Sequence, residues 1–104
     1  MYSINVFFDF GSGICLWADN EASQKRFGYP IAPEALPISR NLQVRATFLV
    51  SWWDTFLDWD SPPKQTNSEA ETEQFGTACE KFVELIRSEL GEEYVVHHHQ
   101  PTKP

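Results

Sequence analysis

The chain has 104 residues, of which 41% are hydrophobic and 14% aromatic, so it has the composition and length of one globular domain. Eight Lys and Arg residues stand against 15 Asp and Glu residues, which gives a formal net charge of −7 at pH 7. Because phosphate contacts need clustered basic residues and this chain has no such cluster, we expect no direct binding to nucleic acid.

The first predicted element is a β-hairpin. Apolar residues alternate with other residues from 3 to 10, which is the period of two that indicates a strand. The residues 11–13 (Gly-Ser-Gly) form a turn, and a second strand follows over 14–18. The second face of this hairpin is either partly covered or a binding surface, since it retains apolar side chains from Phe7, Cys15 and Trp17.

A short helix and a rigid connector follow the hairpin. Asn20 is a good N-cap for a helix that runs through Phe27, and Gly28 suits the position after its end. The connector begins at Tyr29 and cannot continue a helix, because prolines stand at positions 30, 33 and 37.

Two long helices are predicted in the second half of the chain. Ser39 begins a helix over about 39–58, in which apolar residues recur at spacings of three and four. Ser68 and Glu71 form the S-x-x-E capping box of a second long helix, which Gly91 ends.

The pattern predicts an α+β fold, with a final short strand at 94–96. We expect a two-layer sandwich: a three-stranded, mainly antiparallel sheet made of the N-terminal hairpin and the C-terminal strand, with both long helices on one face. The N-terminal strand would lie in the middle of the sheet. Residues 1–99 would form this single domain, and residues 100–104 a disordered tail.

Compartment and cysteine state follow from what the sequence contains. Cys15 and Cys79 stand in apolar surroundings, so we expect two reduced core thiols in a reducing compartment. No apolar run approaches the ~18 residues of a membrane span, and the N-terminus lacks a signal-peptide pattern. We therefore expect a cytoplasmic protein that does not bind membranes.

The candidate functional residues cluster at the end of the first long helix. Asp54, Asp58 and Asp60 oppose the helix dipole there, and the first two would share a helical face. They are a site for a metal, a contact for a basic partner, or a solvated helix end. Trp52 and Trp59 stand beside them, either as part of a protein-binding hot spot or packed beneath the proline-rich connectors.

Other chemistry has little support in the sequence. Three consecutive histidines, residues 97–99, cannot all bind one metal in good geometry, and they are incidental or derived from a tag. The sequence has no phosphate-binding glycine loop, no C-x-x-C and no catalytic triad context, so we expect no cofactor and no enzymatic activity.

The segments 26–31, 36–39 and 53–63 resemble a group of small bacterial proteins that have no assigned activity, in a match that covers roughly residues 14–95. In size, acidity and architecture the chain also resembles bacterial immunity proteins of contact-dependent growth inhibition or polymorphic toxin systems. This second resemblance implies a protein that occludes a toxin domain without catalysis.

The sequence therefore favours an intracellular binding protein of immunity or antitoxin type with a basic partner. Its predicted contacts are Trp52, Asp54, Asp58, Trp59 and Asp60, with Tyr29 and the exposed hairpin face as a second option. The alternatives are a small metal-dependent phosphoryl-transfer enzyme that uses the three aspartates, or an adaptor subunit of a larger assembly.

Overall fold

The computed structural model describes residues 1–98, and the order of elements along this part of the chain is β1, β2, α1, α2, α3 and β3. The bounds are Tyr2–Val6 for β1, Leu16–Ala18 for β2, Glu21–Phe27 for α1, Arg40–Asp54 for α2, Glu69–Leu90 for α3 and Tyr94–His98 for β3. A short 3₁₀ helix at Pro33–Ala35 lies in the proline-rich connector. The predicted tail at 100–104 lies outside the described residues.

The sheet has the order β2-β1-β3, which confirms that the N-terminal strand lies in the middle. The pairing of β1 with β2 is antiparallel, but β1 pairs with β3 in parallel, so the sheet is mixed where we predicted mainly antiparallel pairing. The chain crosses through the helix layer before it enters β3, and such a crossover allows the strand to return in the same direction.

The hairpin strands are shorter than predicted. The antiparallel ladder joins Ile4 to Ala18, Asn5 to Trp17 and Val6 to Leu16. The chain between β1 and β2 is thus a loop over residues 7–15, not the three-residue turn that we expected. Gly11, at φ +79°, takes the left-handed backbone conformation that glycine tolerates best.

The predicted starts of α1 and α3 are confirmed. The side chain of Asn20 accepts a hydrogen bond from the Ser23 amide at 3.0 Å. At the start of α3, the Glu71 amide donates to Ser68 Oγ at 3.1 Å and the Ser68 amide donates to Glu71 Oε1 at 3.0 Å. Both caps satisfy helical N–H groups that have no partner within the helix.

α2 ends earlier than the predicted residue 58. The Thr55 hydroxyl donates to the Trp52 carbonyl at 2.6 Å, and the Trp59 indole N–H donates to the Asp54 carbonyl at 2.9 Å. These bonds satisfy carbonyl groups of the last turn, so the helix stops at Asp54. Asp58 therefore lies beyond the helix, and the expectation that Asp54 and Asp58 share a helical face was wrong.

The core lies between the helices and one face of the sheet, which confirms the two-layer architecture. Ile4 and Val6 of β1 are fully buried on this face, with Val96 of β3 beside them. The long helices contribute one buried stripe each, consisting of Leu42, Ala46, Leu49, Val50 and Trp53 from α2 and Phe75, Cys79, Phe82, Val83 and Ile86 from α3. At the centre, the Phe75 ring meets Phe8 edge-on at 5.0 Å.

The two cysteines are confirmed as free, buried thiols. Burial raises the pKa of Cys15 to about 12, and burial together with the neighbouring Cys15 raises that of Cys79 to about 12. At pH 8 only about one thiol in 10⁴ would then be the reactive thiolate. We expect native protein to react negligibly with a thiol-specific disulfide reagent at pH 8, and two thiols to react once guanidinium unfolds it.

The same pKa values give the sign of a pH effect on stability. An unfolded thiol ionises near its ordinary pKa of 9.0, whereas the folded thiols keep their protons to higher pH. The contribution of Cys15 and Cys79 is thus fully present below pH 9 and lost as pH rises towards 12. If either thiol of the folded protein reacted promptly with the disulfide reagent at pH 8, the raised pKa values of Cys15 and Cys79 would be contradicted.

Candidate protein-binding surface

One face of the sheet is not covered by the helices. Side chains alternate along β1, so Ser3 and Asn5 point away from the face that carries Ile4 and Val6. On this open face Asp19 accepts hydrogen bonds from Ser3 Oγ at 2.8 Å and from Asn5 Nδ2 at 3.0 Å. The open face is thus polar at this end, in contrast to the apolar face beneath the helices.

Aromatic side chains form a hollow at the other end of the open face. We call it the aromatic hollow, and it is lined by Asn5, Phe7, Asp9, Trp17 and Tyr29. The Trp17 indole N–H donates to the Phe7 carbonyl at 2.8 Å, and the rings of Trp17 and Tyr29 lie 5.5 Å apart at 54°. Phe7 is 44% exposed and Tyr29 is 55% exposed, although most large apolar side chains of this chain are buried.

Tyr29 reaches the hollow because the connector pairs with the edge of β2. The Ala18 amide donates to the Tyr29 carbonyl, and the Ile31 amide donates to the Leu16 carbonyl, both at 2.8 Å. Ile31 is fully buried and holds the segment in place. The segment thus covers the β2 edge with its backbone and extends the open face with the Tyr29 ring.

The loop between β1 and β2 connects the aromatic hollow to the end of α2. The Gly11 amide donates to Asp54 Oδ1 at 3.1 Å. A Cβ atom at Gly11 would lie 3.6 Å from the Trp59 ring, so this ring lies directly over the glycine. Asp9 lines the hollow two residues before this contact. The predicted Asp54 and Trp59 therefore lie beside the hairpin loop, a proximity that the sequence did not predict.

We call the segment 54–60 the acidic turn, and a backbone amide of this segment donates a hydrogen bond to one of its own carboxylates. Asp58 Oδ1 accepts from the Asp60 amide at 3.1 Å, and the Asp58 amide donates to the Lys64 carbonyl at 2.8 Å. Asp60 and Trp59 are exposed, the latter by 56%. The carboxylates at the end of α2 thus have structural roles, while the exposed parts of Asp60 and Trp59 face solvent.

The three aspartates do not assemble as metal ligands. Within residues 1–98, no group of three or more His, Cys, Asp or Glu side chains is arranged to hold a metal ion. Asp54 binds the hairpin loop and Asp58 binds its own turn, as described above. The phosphoryl-transfer alternative therefore finds no ligand set in Asp54, Asp58 and Asp60.

Trp52 lies apart from the acidic turn. Its ring meets Phe75 edge-on at 5.1 Å and lies 6.0 Å from Phe48. It is half-buried, and its outer edge lines a shallow apolar hollow with Phe48, Ser51 and Thr55. Trp52 thus belongs to the side of the molecule on which α2 and α3 meet, and its ring contacts are with core and helix aromatics.

A groove between α2 and α3 has a different character from the open face. It encloses about 550 Å³ and its walls include Val44, Arg45, Phe48 and Lys81. Val44 and Phe48 are more than half exposed. This surface combines apolar and basic side chains, whereas the aromatic hollow and the acidic turn combine aromatic and acidic ones.

Two of the three histidines lie in β3. His97 points to the open face, where its Nε2 lies 3.6 Å from Asp19 Oδ2, and His98 is partly buried. β3 therefore extends two residues beyond its predicted end at Val96. His99 lies outside the described residues.

The aromatic hollow was only partly predicted. Tyr29 was named, and Phe7 and Trp17 were recognised as apolar side chains on the second hairpin face, but Asp9 was missed. Cys15 was expected on the same face and is instead buried in the core, since the chain leaves regular pairing before Leu16. The alternation of β1 and the out-of-core Trp17 were the signals for this surface.

Comparison with known proteins identifies a family. A family model described as "Serratia CdiI immunity protein-like" matches residues 2–101, which is nearly the whole chain. A search of curated proteins found no significant match. In residues 1–98 none of the helices combines the length and apolar character needed to cross a membrane.

Proposed function

Because the chain belongs to the Serratia CdiI immunity protein-like family, we propose that it is a non-catalytic immunity protein that neutralises a toxin domain by covering it. The family match over residues 2–101 is the observation that carries this proposal. Occlusion needs a complementary surface and no reacting group. The absence of a recognisable catalytic motif in the sequence is compatible with such a role.

The charge of the chain supports a basic toxin domain as the partner. The net charge of −7 would attract a basic domain and speed its association. Asp58 and Asp60 lie in the exposed acidic turn, and Asp9 lies at the aromatic hollow. A nuclease domain, whose own substrate is polyanionic, fits this charge pattern.

The proposed contact surface runs from the aromatic hollow to the acidic turn. It retains Tyr29, Asp58, Trp59 and Asp60 as direct contacts, because these side chains are at least partly exposed. Asp54 contributes by holding the hairpin loop against the turn. Trp52, on the α2–α3 side, would be a contact only for a partner large enough to extend around the end of α2.

Under this proposal a toxin domain is encoded beside the gene for this chain, and the test uses that domain. Cells that express this toxin should survive when the chain is co-expressed, and the two proteins should co-purify as a complex that weakens as salt is raised. Asp58→Lys should weaken binding about tenfold at low salt, because it places a positive charge on the surface that attracts the partner.

A matched control separates local charge from total charge. Glu84→Lys changes the net charge equally but lies on the exposed part of α3, away from the proposed surface. It should leave protection intact and affinity within about twofold of the unchanged protein. Failure of the unchanged chain to protect cells or to bind the toxin would refute the immunity role.

A further inference from the structure

We propose that the aromatic hollow holds an arginine or lysine side chain of the toxin domain and is the anchor of the complex. This inference rests on the proposed immunity function and specifies where the partner binds and with which chemistry. The acidic turn would then guide the approach of the partner, and the hollow would retain it.

The walls of the hollow suit a cation. Ring faces of Trp and Tyr attract Lys and Arg through their quadrupole, most strongly when water is excluded. Trp17 and Tyr29 present two rings with centroids 5.5 Å apart and inclined at 54°, and Phe7 adds a third apolar wall. The guanidinium of arginine also stacks on such rings, which makes it the better occupant of the two.

The hollow is held in shape before a partner arrives. The Trp17 ring is fixed by its hydrogen bond to the Phe7 carbonyl at 2.8 Å. Tyr29 is carried by a segment that is hydrogen-bonded to β2 on both sides, at Ala18 and at Leu16. A preformed aromatic site loses little conformational entropy on binding, as is typical of interface hot spots.

The charge of the hollow favours a positively charged occupant. Its lining includes one carboxylate, Asp9, and no Lys or Arg. Within the described part of the chain, Asp9 makes no ion pair or side-chain hydrogen bond that would satisfy its charge. A carboxylate at the mouth of an aromatic hollow complements a cation, and a charge-assisted hydrogen bond from a guanidinium would satisfy it.

The two other candidate surfaces fit this role less well. The α2–α3 groove carries Arg45 and Lys81, which would repel a basic partner. In the acidic turn, Asp54 and Asp58 already accept backbone hydrogen bonds. Asp60 is exposed as well, but it lies in the acidic turn and does not line the hollow. Asp9 is thus the carboxylate of the hollow itself that can accept a new bond from the partner.

The proposal predicts a kinetic difference between the hollow and the turn. Loss of an anchor raises the dissociation rate, while loss of a guiding charge at the rim mainly lowers the association rate. We expect Tyr29→Ala and Asp9→Asn each to raise the dissociation rate of the immobilised toxin domain about tenfold or more. Asp58→Asn should instead lower the association rate, with a smaller effect on dissociation.

Matched variants keep the experiment interpretable. Tyr29→Phe retains the ring and should bind nearly as the unchanged protein does. If Tyr29→Ala does not fold, Asp9→Asn still tests the anchor, because Asp9 is an exposed residue. Phe48→Ala removes a side chain that is 61% exposed in the α2–α3 groove, and it should leave both rates unchanged. Circular dichroism melting curves confirm that each variant used is folded.

Each outcome decides between the proposals. If Tyr29→Ala lost binding but Asp9→Asn did not, the occupant of the hollow would be apolar, and the proposal that it is a Lys or Arg side chain would be wrong. Normal dissociation rates in both variants would overturn the anchor but leave the immunity role in place, provided that the unchanged chain binds. If the unchanged chain neither binds nor protects, the proposed function itself fails.

Discussion

Replacing Phe75 with alanine should lower the free energy of unfolding by about 3 to 5 kcal/mol, because it removes a large buried ring and leaves a cavity. The Phe75 side chain is completely buried, and its ring lies within about 5.5 Å of four other rings, those of Phe8, Trp52, Trp53 and Phe56. Since a domain of this size has only about 5 to 15 kcal/mol of stability, the loss would equal the whole stability of a protein at the low end of that range.

Urea unfolding followed by far-ultraviolet circular dichroism measures this change, since the signal comes mainly from the backbone of the helices and strands. Phe48→Ala is the control of equal size, because the Phe48 ring is 61% exposed on α2. It should change stability by no more than about 0.5 kcal/mol. Similar losses in the two variants would show that Phe75 is not the centre of the core.

Arg87→Met should lower the free energy of unfolding by about 1.5 to 3 kcal/mol, the range for hydrogen bonds made by a charged group. Arg87 lies in the last turn of α3, and both its Nε and its Nη2 donate to the Val96 carbonyl of β3, at 3.2 Å and 2.6 Å. Methionine keeps a long apolar side chain but leaves this carbonyl without its two donors.

Amide hydrogen exchange locates the effect of Arg87→Met. Exchange should accelerate in β3 more than in α1, because the lost bonds join α3 to β3. Lys81→Met is the control, since Lys81 is exposed on the same helix and its side chain makes no hydrogen bond or ion pair within residues 1–98. If β3 exchanges no faster in Arg87→Met than in Lys81→Met, Arg87 does not hold the strand.

Features with a local cause were predicted from the sequence. The start of α3 follows from Ser68 and Glu71, which satisfy each other's backbone groups within one turn. The start of α1 follows in the same way from Asn20. Alternation along β1 predicted which side chains face the core, because a strand places successive residues on opposite faces.

Features with a distant cause were not predicted. The end of α2 depends partly on Trp59, whose indole N–H donates a hydrogen bond to the Asp54 carbonyl in the last helical turn. The parallel pairing of β3 with β1 joins residues more than 90 positions apart, and no local pattern specifies the direction of such a pair. Both results come from tertiary contacts that outweigh local propensity.

The candidate surface shows the same division. The sequence indicated the aromatic and acidic residues of the acidic turn, but it did not show that Asp54 binds the Gly11 amide of the hairpin loop. The aromatic hollow unites Trp17 of β2 with Tyr29 of the connector, which meet because the connector pairs with β2. Such a surface cannot be predicted until the pairing of the connector with the edge of β2 is known.

The parallel pairing of β1 with β3 has a consequence for the timing of folding during synthesis. Tyr2 lies opposite Tyr94, so the central strand lacks one neighbour until both long helices have been translated. At about 5 to 20 residues per second, the ribosome needs about 5 to 18 s to make the intervening chain. During elongation, β1 can therefore pair only with β2 and not yet with β3. Under the proposed function, protection against a toxin begins only after β3 has left the ribosome and paired with β1.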